Sequence, residues 1–80
     1  MTVRIEIPDV HYDKILDQLP KESRLYSKFK NAFVVSRPSP KGQARILQIY
    51  CDENEAEDIL KTMKQHCPEV EPAVTTGVNF

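Results

Sequence analysis

The chain has 80 residues, 40% of them apolar and 29% charged. That allows one domain with a thin core, and excludes both a large enclosed substrate cavity and the polar profile of a disordered chain. The net charge of −1, with a pI near 6.1, argues against a dedicated nucleic-acid domain, for which values above about 9 are usual. No apolar run approaches the roughly 20 residues of a membrane-spanning helix, and "MTVRIEIPD" lacks the basic-then-apolar form of a signal peptide, so a cytoplasmic protein with no membrane contact is expected.

"TVRIEIP" alternates, with Val3, Ile5 and Ile7 on one side and Arg4 and Glu6 on the other, which predicts a half-buried strand ended by Pro8. Asp9 is expected to cap a helix in which Tyr12, Ile15, Leu16 and Leu19 fall at i, i+3, i+4 and i+7. Pro20 breaks that helix, and Ser23 caps a second segment. There Leu25, Phe29, Ala32 and Phe33 share one stripe, while Lys21, Arg24 and Lys28 share another.

"FVVSR" and "ARILQIYC" flank "PSPKGQ", which predicts a β-hairpin over residues 33–51 with a loop longer than two residues. Asp52 and Glu55 have the spacing of a capping box, after which Ala56, Ile59, Leu60, Met63 and Cys67 line one helical face up to the stop at Pro68. A last strand places Val74, Thr76, Val78 and Phe80 on one side, with Pro72 confining it to a strand start or an edge. The whole order predicts an α+β ferredoxin-like βαββαβ two-layer sandwich, its first helix broken at Pro20, with one sheet face left open.

Charge is distributed unevenly. Residues 1–50 carry nine bases and five acids, residues 51–80 two bases and seven acids, and residues 21–45 alone hold seven of the eleven bases against one acid. Lys21, Arg24, Lys28, Lys30, Arg37, Lys41 and Arg45 are thus candidates for one basic stripe running from helix to hairpin. Strand alternation adds a second surface: if Leu47, Ile49 and Cys51 face the helices, Ile46, Gln48 and Tyr50 face away, joined by Arg4 and Glu6. Of these, Lys21, Arg24, Lys28, Arg37, Lys41, Arg45, Ile46, Gln48 and Tyr50 form the expected partner-binding set, for a protein that is itself acidic or for a second copy whose acidic half meets the stripe, giving a homodimer.

Chemistry is not expected. Gly42 and Gly77 are the only glycines, too few for a phosphate cradle. Cys51 and Cys67, even with His66 and His11, lack the paired spacing of a zinc site, and no cofactor is implied. Cys67 fits better as the last core position of its helix, and free thiols are expected.

Two nucleic-acid families bear on the alternative reading. RNA-recognition motifs share the βαββαβ order, but their third strand carries a basic-Gly-aromatic pattern, where "RILQIYC" offers only Tyr50. The opening "VRIEIPDVHYDKILDQL" resembles the N-terminus of ribbon-helix-helix antitoxins. That resemblance implies that Arg4 and Glu6 read bases in the major groove and that residues 34–80 form a toxin-binding extension. The function expected first is a non-catalytic adaptor, regulator or inhibitor of another protein; the alternative is a nucleic-acid-binding antitoxin or repressor.

Overall fold

A computed structural model describes residues 1–77. Strand β1 spans Thr2–Pro8, a 3-10 turn Asp9–His11, helix α1 Tyr12–Gln18 and helix α2 Arg24–Lys30. Strands β2 (Phe33–Ser39) and β3 (Gly42–Asp52), helix α3 (Glu53–His66) and strand β4 (Ala73–Thr76) follow. The four strands form an antiparallel sheet in the order β2-β3-β1-β4. The molecule is α+β, and its helices pack on one face of this open sheet.

That face is fixed by the alternation of β1 and β3. Val3 lies opposite Cys51, Ile5 opposite Ile49 and Ile7 opposite Leu47, and all six are buried. Ile15 and Leu19, then Leu25 and Phe29 from α2, then Ala56, Ile59, Met63 and Cys67 from α3 and its end close over them. Each fully buried aliphatic side chain in such a cluster stabilises the fold by about 1.5–3 kcal/mol through the area removed from water.

The break at Pro20 takes the form expected. Leu19, the residue before the proline, is extended (φ −87°, ψ 141°) and ends α1. Ser23 caps α2 by accepting a hydrogen bond from the Tyr26 N–H at 3.2 Å. Asp52 likewise accepts from the Glu55 N–H at 2.7 Å, while the Glu55 carboxylate turns away to Lys28 Nζ at 3.2 Å.

Three expectations are corrected. Asp9 caps nothing; it opens the 3-10 turn, and its carboxylate lies 3.7 Å from Arg45 Nε. Phe33 does not belong to the helical stripe, because α2 ends at Lys30 and Phe33 starts β2 with 64% of its surface exposed. The hairpin loop is short: β2 and β3 pair as far as Ser39 opposite Gly42, leaving Pro40 and Lys41 as the turn. Pro38 is accommodated inside β2 because β2 is an edge strand, with no ladder on its outer side to receive an N–H. Gly42 supplies the positive φ (+115°) at the return. The expected last strand is present as β4 over Ala73–Thr76; Val78 and Phe80, expected on its face, lie outside the described residues.

Candidate functional site

On the sheet face away from the helices, the register places Arg4 opposite Tyr50, Glu6 opposite Gln48 and Phe33 opposite Gln48 from the other side. Val35 lies opposite Ile46, and Arg37 opposite Ala44. These side chains share the open face because directly opposed residues in an antiparallel ladder point the same way.

The centre of this face is not wet. Glu6 and Gln48 are each only 7% exposed although no helix covers them. Neighbouring side chains cover them instead, through a connected set of polar contacts. Arg37 Nη2 donates to Glu6 Oε2, and Gln48 Nε2 donates to the same oxygen at 2.9 Å. The Tyr50 hydroxyl donates to Gln48 Oε1 at 3.0 Å. Arg4 Nε stands 3.6 Å from Glu6 Oε1, is itself buried, and has no hydrogen-bond partner among the described residues. The Phe33 ring meets the Tyr50 ring edge-on, centroids 5.9 Å apart and planes at 74°.

Burial works against the Glu6 charge, but hydrogen bonds from Gln48 and Arg37, with the charges of Arg37 and Arg4, outweigh it and hold the carboxyl below its usual range. Glu6 therefore stays ionised at neutral pH and fixes two arginines, a glutamine and, through that glutamine, a tyrosine. The hydrogen bonds among Arg37, Glu6, Gln48 and Tyr50 hold these surface side chains in one arrangement, with Arg4 drawn to Glu6 by charge.

The seven bases of residues 21–45 do not form a single stripe. Arg24 and Lys28 line a cleft of about 350 Å3 with Phe33, Gln48 and Tyr50 at one margin of the open face. Lys30 and Arg45 line a second, with Tyr12 and Val34, on the helix side of β2. Arg37 points to the open face and Arg45 to the opposite one, since Arg37 lies opposite Ala44 and Arg45 opposite Ser36 in a two-fold alternation. Lys21 sits in the exposed connection between α1 and α2, and Lys41 in the hairpin turn. Lys28 is taken by Glu55, Arg45 by Asp9 and Arg37 by Glu6. Lys30 lies over the Tyr26 ring, 5.7 Å from its centroid. Ile46, Gln48 and Tyr50 share one face as expected, with Ile46 half-buried and Gln48 sunk beneath its neighbours.

Phe33 and Val35 were not anticipated as members of this surface. The alternation that places Ile46 and Gln48 could have found them, had it been carried across the hairpin predicted to start at Phe33 to the partners of Gln48 and Ile46.

Both thiols are buried. Burial first, then the nearby carboxylates (Glu55 for Cys51, Glu69 for Cys67), push them above the ordinary thiol value, so they remain protonated at neutral pH. Among the described residues no group of three or more His, Cys, Asp or Glu side chains is placed to hold a metal, and no helix is long and apolar enough to cross a membrane.

Both edges of β1 are occupied, by β3 and by β4. It is thus unavailable for the intermolecular ribbon that the antitoxin resemblance requires, and Arg4 and Glu6 belong to an intramolecular network. Comparison with family models, with curated proteins and with solved structures gives no match.

Proposed function

We propose that this chain is a small, non-catalytic binding domain, an adaptor, regulator or inhibitor that engages another protein through the open face of its sheet. The observation that carries this reading is the network centred on Glu6, which fixes Arg4, Arg37, Gln48 and Tyr50 on a face that no helix covers. Binding surfaces draw affinity from side chains whose conformations are set before the partner arrives, and aromatic and arginine side chains supply most of it. Phe33, Tyr50, Arg4 and Arg37 are of that kind. The protonated, buried thiols and a carboxylate already saturated by its neighbours favour binding over catalysis.

We also read the architecture as ferredoxin-like and the setting as cytoplasmic. The first is supported by the βαββαβ order that results when α1 and α2 are taken as one helix broken at Pro20, the second by two free cysteines.

A second reading, single-stranded nucleic-acid binding, is favoured by one feature: the exposed Phe33 ring beside Tyr50, with Arg24 and Lys28 in the adjoining cleft, offers a stacking surface next to cations. Two measurements separate the readings. Immobilised wild-type chain at physiological salt is expected to retain a protein at constant stoichiometry that an Ile46→Asp variant of equal helicity does not, while labelled RNA and DNA show no anisotropy change. Nucleic-acid binding whose log affinity falls steeply with log salt, unaffected by Ile46→Asp, would replace the first reading with the second.

A further inference from the structure

Strand β2 is exposed in three directions. Among the described residues, no strand pairs with its outer edge. Phe33 on the open face is 64% exposed, and Val34 on the helix face, in the cleft it lines with Tyr12 and Phe29, is 48% exposed. An edge strand with bare apolar side chains is a template for a further strand. The two halves of β2 differ: Pro38 has no N–H to offer a new neighbour, so a usable edge runs from Phe33 to Arg37. At the other end of the sheet, β4 has only the four residues Ala73–Thr76, and a short edge is a poor template.

The chemistry around this edge is one-sided. Arg24 and Lys28 stand in the cleft beside Phe33, Lys30 and Arg45 in the cleft beside Val34, and Arg37 lies on the strand itself. Glu55, Asp9 and Glu6 each occupy one of these bases, which leaves Arg24 and Lys30 without an ion pair among the described residues. A second copy is a poor occupant. Its own β2 would bring a second Arg24, Lys30 and Arg37 to the same edge, and the acids Glu53 to Asp58 lie in α3 rather than in a strand.

We infer that β2 receives an extended acidic segment of a partner protein, which adds to the sheet as a fifth strand along Phe33–Arg37. Main-chain hydrogen bonds hold the segment. Its apolar side chains cover Phe33 and Val34, and its Asp or Glu side chains meet Arg24 and Lys30. This rests on the protein-binding reading above and assigns the partner's chemistry and its docking edge.

The test uses the intact chain and a phage-displayed library of random short peptides, followed by amide spectra of the 15N-labelled protein with the enriched peptides. Enriched sequences are expected to carry Val, Ile, Leu or Phe together with Asp or Glu on each face of the strand, that is at both odd and even positions, and the largest amide shifts to fall within Phe33–Arg37. Phe33→Glu is expected to weaken binding about tenfold or more, the loss typical of a removed anchor residue. Arg24→Glu, on the exposed side of α2, is expected to do so even if Phe33→Glu proves unstable. Neutral or basic winners would overturn the inference, as would shifts confined to the Arg4, Ile46 and Tyr50 face, though either result would leave the protein-binding reading standing. Shifts in Phe33–Arg37 that depend on protein concentration without peptide would overturn it in favour of a second copy. No enriched peptide would overturn it outright, and if RNA or DNA were then bound, the reading beneath it would fall too.

Discussion

Glu6 is the residue on which the open face depends. Its two oxygens face two arginines and a glutamine amide in a position 7% exposed. Replacing it with glutamine preserves the shape but puts a neutral amide between Arg4 and Arg37 and leaves buried donors facing an N–H2 group. A loss of about 1–3 kcal/mol in urea unfolding is expected, the cost of buried polar groups deprived of partners. The pH dependence has a definite sign. Because the folded carboxyl lies below its ordinary value of 4.5, the native state favours the ionised form, and this contribution is complete above that value and disappears as pH falls through the folded one. The wild type is therefore expected to lose stability on acidification below 4.5 more steeply than Glu6→Gln, the two curves approaching one another in acid. Parallel curves would mean that Glu6 is not held by its neighbours.

At the scale of elements, local signals and long-range ones contribute differently. Ser23 and Asp52 cap α2 and α3 as their sequence contexts require, and Ser23→Ala or Asp52→Ala is expected to cost about 0.5–2 kcal/mol each. Ile59→Ala, in the buried face of α3, should cost about 2–5 kcal/mol. Measured by urea unfolding, an Ile59→Ala loss smaller than that of either cap would contradict the packing described. Alternation in residues 2–8 and 45–51, the break at Pro20 and the apolar face of α3 were legible in sequence because each depends on residues within a turn or two. The extent of β2 was not. Its prolines suggest a loop, and only the edge position, a property of the assembled sheet, allows Pro38 to remain in a strand. The burial of Glu6 and Gln48 was likewise hidden, since it depends on Arg37 arriving from a strand 31 residues away. Arg4, Glu6, Ile46, Gln48 and Tyr50 could be placed on one face from period alone; their hydrogen bonds could not.

Over the whole molecule, the basic first half and acidic second half are folded together, not set apart as opposed poles. The Lys28–Glu55 pair joins α2 to α3, and Lys14 Nζ meets Glu69 Oε1 at 3.0 Å. These pairs use part of the charge asymmetry internally, and the α2 bases without an ion pair among the described residues, Arg24 and Lys30, lie next to β2 and the margin of the open face. Fold and charge thus converge on one side of the molecule, where a polar network, the exposed Phe33 ring against Tyr50 and an open strand edge adjoin. The most direct test of that convergence is photo-crosslinking in the native cell with a benzophenone amino acid placed at Ile46, on the open face, and separately at Asp58, on the exposed side of α3. A discrete protein adduct from position 46 and none from position 58 is the expected result; adducts at 58 alone, or cross-links from 46 to nucleic acid, would contradict it.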